Sequence, residues 1–265
     1  MPMANIACGR SIATDPRARP GRRRWWPKPG LAALLMAATA AAPPPPQADP
    51  AFPFAREIEA FASADAAGPA IRDATLFLGS SSIRLWDIAG SFAGRATVNR
   101  GFGGATTADV LRHYRRLLPP ARPRAIIVYV GENDLAAGTP PDAVGDRVTA
   151  LLGRLRRDYP DAAIAYLSLK PSPLRWGLRP GMTRVNDRVA AWARARAIAC
   201  LDVGALLLAP DGLPDASLFR PDGLHLNARG YARWTQAVTA WLDRQERPGT
   251  AARTAPGSSG RAVSD

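Results

Sequence analysis

Two patterns of hydrophobic and polar positions alternate along the body of this chain. Short runs in which nearly every residue is apolar are separated by longer segments with an apolar residue every three or four positions. The first pattern is typical of strands buried on both faces, and the second is typical of amphipathic helices. The clearest strand is Ala125 to Val130, which has no polar face. The alternation predicts a doubly wound α/β sheet with right-handed crossovers.

The predicted elements fill one globular domain, residues 54–246. Strands are expected at 74–78, 96–99, 125–130, 163–169 and 200–203, and helices at 54–67, 106–118, 144–159, 183–198 and 227–244. Polar or glycine-containing segments follow each strand, and this edge is where open α/β sheets place their sites.

The segment before the domain has the features of an export signal. Arg22, Arg23, Arg24 and Lys28 precede a twelve-residue apolar run, 31–42, which is too short to span a bilayer comfortably. We therefore expect residues 1–42 to be an export signal, and the mature protein to be periplasmic or extracellular. An uncleaved N-terminal anchor is the alternative, as is a mis-assigned start codon with a basic leader, which would leave the protein cytoplasmic. A proline-rich spacer is expected at 43–53 and a disordered tail at 247–265.

The net charge of +13 does not indicate a nucleic-acid partner. Much of it lies in the two terminal segments, and the remainder is a modest balance spread along helices. Cys8 falls in the expected signal, and Cys200 is expected to be a buried free thiol. No spacing of ligands suggests zinc, so we expect neither a metal nor a cofactor, and no stable membrane span.

The chain has only two histidines, which makes each of them informative. His113 lies between arginines in a predicted helix and is expected at the surface or an edge. His225 ends the sequence Asp222-Gly223-Leu224-His225, in which the carboxylate can reach the ring if the segment turns. Histidine titrates near neutrality, so this pair could supply a base and the group that orients it.

Three other segments carry candidate chemistry beyond the predicted strands. Ser81 follows a strand and a glycine, which would suit a nucleophile, but a helix cap explains the same residue equally well. Gly104 lies in a glycine-dense segment whose N–H could approach a ligand, although a flexible turn is the simpler interpretation. Asn133 directly follows the best strand and could donate to an oxyanion, but a turn residue is the more common case.

The order of these motifs is more specific than any one of them. FLGSSSIRLW, NRGFGGATTADVL, YVGENDL and FRPDGLHLNARGY together resemble the sequence blocks of the SGNH (GDSL-type) esterase and lipase family, from about Ala74 to Leu242. The resemblance implies a flavodoxin-like three-layer sandwich of about five parallel strands. It also implies a catalytic triad and an oxyanion hole: the triad is Ser81, Asp222 and His225, and the oxyanion donors are Ser81 N–H, Gly104 N–H and the Asn133 amide.

One residue departs from the family pattern, because Ser80 stands where the family's Gly-Asp-Ser has aspartate. Alignment without a gap through Trp86 favours Ser81 as the nucleophile, with Ser82 left open. The implied activity is hydrolysis of short acyl or acetyl esters, on a small-molecule, glycan or lysophospholipid-type substrate. Residues 170–176 are expected to line the substrate rim, where Trp176 could stack on a sugar or pack against an acyl chain, although a covering loop explains this residue equally well. An acyltransferase acting on a sugar hydroxyl and a catalytically silent carbohydrate-binding module are the alternatives, and the oligomeric state is left open.

Overall fold

The computed structural model describes residues 54–246. The predictions of an export signal, a proline-rich spacer and a disordered tail therefore lie outside the described residues. Within the described range no helix is both long enough and apolar enough to cross a membrane.

The sheet contains five strands, all parallel, in the order β2-β1-β3-β4-β5. This is the flavodoxin-like order, so the predicted fold class is confirmed. The strands are β1 Thr75–Gly79, β2 Thr97–Gly101, β3 Ala125–Tyr129, β4 Ala163–Leu167 and β5 Ile198–Leu201. Every residue of β1 and β3 is buried, which explains why their sequences show no alternation of polar and apolar positions.

Helices cover both faces of the sheet. They are α1 Ala55–Ala66, α2 Ser81–Arg84, α3 Ile88–Ser91, α4 Thr107–Leu117, α5 Glu132–Ala136, α6 Pro141–Asp158, α7 Arg179–Ala193 and α8 Ala228–Glu246. One layer is a row in which α1 contacts α4, α4 contacts α6, and α6 contacts α7. On the opposite face, Trp234 of α8 packs against Tyr129 of β3 and against Trp86, which follows α2.

Helix α4 corrects the expectation for His113. Thr106 caps the helix in a reciprocal capping box with Asp109. His113 then falls in the same apolar stripe as Val110, Tyr114 and Leu117 and is only 6% exposed. Its ring meets the edge of Phe102, so this histidine is a buried packing residue and does not lie at the surface.

The boundary between α7 and β5 differs from the predicted one. The predicted helix over 183–198 begins earlier, at Arg179 with Pro180 in its first turn, and ends at Ala193. A short 3-10 turn follows, Ala197 adopts a left-handed conformation, and β5 begins at Ile198, two residues before the predicted strand start.

Cys200 is exposed, contrary to the expectation of a buried thiol. It lies on β5, which is an edge strand of the sheet. Its side chain borders a cavity of about 410 Å³ that residues of α7, including Met182, also line. A short apolar sequence cannot reveal which strand will be the edge, and that position decides the exposure of Cys200.

Candidate active site

The turn after β1 places Ser81 at the first position of α2. Gly79 precedes this turn at φ +152°, where a Cβ atom would lie 1.9 Å from the Tyr129 carbonyl oxygen. Glycine is therefore required for β1 to approach β3 this closely. Ser80 and Ser82 are buried, at 3% and 2% exposure, whereas Ser81 is half-buried and faces the site.

Ser81 meets His225 across the carboxyl end of the sheet. The distance from Ser81 Oγ to His225 Nε2 is 3.0 Å, and His225 Nδ1 lies 2.7 Å from Asp222 Oδ2. The Nδ1–H therefore donates to the carboxylate, which leaves Nε2 to accept the Ser81 hydroxyl proton. The structure thus brings together the three residues that the sequence predicts as a triad.

The loop that carries Asp222 and His225 closes on itself. Asp222 Oδ1 accepts the backbone N–H groups of Leu224 and His225, both at 2.9 Å, and Gly223 takes the left-handed conformation that this turn needs. Arg220 N–H donates to the His225 carbonyl at 2.7 Å and completes the turn. These hydrogen bonds hold the Asp222 carboxylate in position for its contact with the His225 ring.

The same contacts set the ionisation of Asp222. Partial desolvation raises the pKa of this carboxyl group, but the hydrogen bonds from the His225 ring and from the two backbone N–H groups outweigh it. The pKa falls from 3.8 to about 2. Asp222 is therefore ionised throughout the range in which a histidine acts as a base.

The candidate oxyanion donors lie beyond three neighbouring strands. Ser81 follows β1, Gly104 follows β2 and Asn133 follows β3. Gly104 has φ +73° and is exposed, and neither its N–H nor that of Ser81 has a hydrogen-bond partner among residues 54–246. Two backbone donors are thus available at this edge of the sheet.

The Asn133 side chain is held by contacts at both ends of its amide. Its Nδ2 donates to the Ala105 carbonyl at 2.9 Å, and its Oδ1 accepts from Arg175 Nη1 at 3.0 Å. The neighbouring Asp134 is fully buried and accepts the Thr107 backbone N–H at 2.8 Å, which ties α5 to the start of α4. These contacts fix the segment after β3 against the segment that contains Gly104.

A buried charge cluster lies next to Asn133. Glu132 accepts from Lys170 Nζ at 2.9 Å and from Arg175 Nη1 at 3.1 Å, and also from the Tyr129 hydroxyl. Burial raises the pKa of Glu132, but Lys170, the Tyr129 hydrogen bond and Arg175 together lower it, so the carboxylate is ionised. Lys170 is completely buried, and Glu132 is 3% exposed.

The segment between β4 and α7, residues 168–178, forms one side of the site; we call it the β4–α7 loop. The Leu174 N–H donates to the Gly223 carbonyl at 2.9 Å, which joins this loop to the loop of Asp222 and His225. Leu174 itself is 65% exposed. Trp176, the predicted rim residue, is half-buried in a short 3-10 turn, and the guanidinium of Arg179 lies 5.0 Å from the centre of its ring.

The sequence predicts that residues 170–176 line the rim of the site, but it does not predict the buried ion pairs of Glu132 with Lys170 and Arg175. Glu132 forms an ion pair with Lys170 and a second one with Arg175. Its partners are 38 and 43 residues away, so local spacing carries no sign of the cluster. The sequence signal that could have indicated the cluster is the presence of Lys170 and Arg175 in a proline-containing loop directly after a strand. Within residues 54–246, no three His, Cys, Asp or Glu side chains cluster as metal ligands would.

The parallel sheet has a Ser-His-Asp hydrogen-bond chain at its carboxyl edge, and this arrangement is typical of α/β serine hydrolases. The family model for the GDSL-like lipase/acylhydrolase family matches residues 83–233, more than half of the chain, and begins two residues after Ser81. This chain therefore belongs to the GDSL-like lipase/acylhydrolase family and is a hydrolase that acts on esters.

Solved structures agree with this fold. A GDSL-like lipase from Bacteroides thetaiotaomicron is 17% identical with a TM-score of 0.60, over 71% of this chain and 98% of that chain. A provisionally assigned platelet activating factor from Streptococcus pneumonia is 21% identical with a TM-score of 0.64, over 71% and 91%. No curated protein matches this sequence significantly.

Proposed function

We propose that this protein is a serine esterase that hydrolyses short-chain acyl esters, acetyl esters included, through an acyl-enzyme. The observation that carries the proposal is the continuous hydrogen-bond chain from Ser81 Oγ through His225 to Asp222, with distances of 3.0 and 2.7 Å. This arrangement activates a serine hydroxyl at neutral pH, whereas a helix cap would not require a histidine at that distance.

In the proposed reaction, Ser81 Oγ attacks the ester carbonyl carbon while its proton passes to His225 Nε2. The carbonyl oxygen becomes an oxyanion that accepts hydrogen bonds from Ser81 N–H, Gly104 N–H and the Asn133 amide. The bond from the carbonyl carbon to the alcohol oxygen then breaks, and His225 gives its proton to the leaving alcohol. Water attacks the acyl-enzyme with His225 again as the base, releasing the acid and restoring Ser81. Asp222 holds the imidazole orientation and stabilises the imidazolium in both halves.

The proposed substrate class rests on the open edge of the site. Gly104 and Leu174 are exposed, so the carbonyl group of an ester with a bulky alcohol part could approach without entering a deep tunnel. We propose a carbohydrate or lysophospholipid-type ester, with the aromatic face of Trp176 at the rim. We also propose export, to the periplasm or outside the cell, on the basis of the pattern in residues 1–42.

The experiment compares Ser81→Ala and Ser82→Ala in hydrolysis of p-nitrophenyl acetate, butyrate and octanoate by the full chain. We expect Ser81→Ala to abolish turnover and Ser82→Ala, at a buried neighbouring serine, to retain it. Full activity in Ser81→Ala would overturn the proposal. A repeat with an added sugar acceptor tests for transfer, because a transferase would form an acylated sugar in place of the free acid.

A further inference from the structure

Arg175 connects the buried charge cluster to the candidate oxyanion hole. Its Nη1 donates both to Glu132 Oε1 at 3.1 Å and to Asn133 Oδ1 at 3.0 Å. The side chain is 19% exposed, so the contact is mostly shielded from solvent. Among the hydrogen bonds that the described residues make, Arg175 is the one charged side chain that contacts the Asn133 amide.

The contact matters because the two ends of an asparagine amide have nearly the same shape and opposite hydrogen-bonding character. In the observed orientation, Oδ1 faces the Arg175 guanidinium and Nδ2 faces the Ala105 carbonyl. A flipped amide would set its NH2 group against the guanidinium and its oxygen against the carbonyl, replacing two hydrogen bonds by two repulsions. Nδ2 has two hydrogens and Ala105 takes one of them, so one remains for an oxyanion.

Arg175 is itself held in place by Glu132. That carboxylate is also bound by Lys170 Nζ and by the Tyr129 hydroxyl, all in a buried environment. The guanidinium nitrogen that contacts Asn133 is therefore also held by a fixed carboxylate. Two cations and one carboxylate leave the cluster with a net positive charge beside the place where negative charge develops.

We propose that Arg175 is a positioning residue, which holds the Asn133 amide with its N–H directed at the oxyanion. This inference rests on the proposed esterase function and assigns the orientation of one oxyanion donor to a residue in the β4–α7 loop. Arg175 acts through Asn133 and does not itself touch the substrate.

The test is a double-mutant cycle with Arg175→Met, Asn133→Ala and the double variant, measuring kcat and KM for p-nitrophenyl acetate. Loss of one oxyanion donor lowers kcat by roughly 10²–10³-fold, so Asn133→Ala should fall in that range. Arg175→Met should lower kcat by at least ~10-fold, but by no more than Asn133→Ala does, with KM little changed. Once Asn133 is absent there is no amide to orient, so adding Arg175→Met should change kcat by less than ~2-fold.

Arg184→Met is the matched control, since Arg184 pairs with Asp142 at the surface and has no contact with the site. It should keep full activity. Arg175→Lys retains a cation beside Glu132 and should show a smaller loss of kcat, which also disappears in the Asn133→Ala background. If Arg175→Met does not fold, as judged by thermal melting, the cycle is run with Arg175→Lys.

The outcomes separate this inference from the proposed function. The positioning role is wrong if Arg175→Met keeps the wild-type kcat. It is also wrong if the losses of kcat caused by Arg175→Met and Asn133→Ala multiply in the double variant. In both cases the esterase proposal stands, provided that Ser81→Ala is inactive. If Ser81→Ala keeps its activity, the proposed function fails whatever the cycle gives.

Discussion

Glu132 is a buried carboxylate whose stability contribution depends on its neighbours. Lys170 is completely buried beside it, at 2.9 Å, and Arg175 approaches from the loop side at 3.1 Å. The buried Tyr129 hydroxyl completes the set, and burial together with the Glu132 charge raises the pKa of this phenol well above its usual value. The carboxylate is therefore the central acceptor for two cations and one neutral donor.

We expect Glu132→Gln to destabilise the protein strongly. Removing one partner of a buried pair leaves the other charge unpaired and costs about 3–5 kcal/mol of unfolding free energy. The control is Glu59→Gln, which breaks an exposed pair with Arg116 and should cost about 0–1 kcal/mol. Urea unfolding at pH 7 measures both, and equal small losses would contradict the assigned role of Glu132.

The difference between wild type and Glu132→Gln should also depend on pH. The pKa of Glu132 is lower in the folded protein than its ordinary value of 4.5. Its contribution is therefore complete above about pH 4.5 and is lost as the pH falls through the lowered folded pKa. Unfolding measured from pH 7 down to pH 3 should show the two proteins converging below pH 4.5. A constant difference over that range would mean that the ionisation of Glu132 is not responsible.

At the scale of elements, the β4–α7 loop links both halves of the site. It reaches the candidate oxyanion side through Arg175 and Asn133, and the base side through the hydrogen bond from Leu174 N–H to the Gly223 carbonyl. The side chain of Leu174 is large and apolar, and this residue is 65% exposed. This position fits contact with the acyl chain of a bound ester.

We expect Leu174→Ser to lower kcat/KM for octanoate esters by roughly 3–10-fold and to leave acetate esters nearly unchanged. The reason is the apolar area that a longer chain buries against this side chain, at about 25 cal/mol per Å². Ile71→Ser is the control, because Ile71 is similarly exposed but precedes β1, at the opposite edge of the sheet. An equal effect on acetate and octanoate would place the acyl chain elsewhere.

Particular elements show what the sequence could and could not predict. Strands β1 and β3 were predictable because burial on both faces requires continuous apolar runs. The meeting of Ser81 with His225 followed from motif order and from the shared carboxyl edge of the sheet. The Glu132 cluster and the exposure of Cys200 were not predictable, since they depend on which distant segments become neighbours. β5 begins earlier than the sequence predicts because helix-forming residues continue through Ala197, where the backbone adopts a left-handed conformation and ends the helical segment.

At the scale of the whole molecule, the candidate triad depends on α8, which is the last helix within residues 54–246. Ser81 and His225 are 144 residues apart, and the loop of His225 leads directly into α8. Helix α8 docks through Tyr231 and Trp234, whose rings pack on Trp86. The Tyr231 hydroxyl also donates to the Ser82 carbonyl at 2.9 Å, next to the candidate nucleophile.

During refolding from denaturant, we expect esterase activity to return no earlier than the near-ultraviolet circular dichroism of this aromatic cluster. Pairing of parallel strands from distant segments is slow. We expect the contacts of α8 with Trp86 and the Ser82 carbonyl to form after this pairing. Trp192→Phe removes a signal from α7, outside the cluster, and should leave this order unchanged. Activity that clearly precedes the aromatic signal would show that the triad forms before α8 docks.

The docking of α8 has a consequence for the chain during its synthesis and folding. While the chain is still emerging from the ribosome, Ser81 and His225, the proposed nucleophile and base, are not yet held together. On the proposed mechanism, the unfolded chain does not hydrolyse esters, however active the folded protein is. On the proposed mechanism, hydrolysis therefore starts only after α8 has docked, and activity reports that the domain of residues 54–246 has folded.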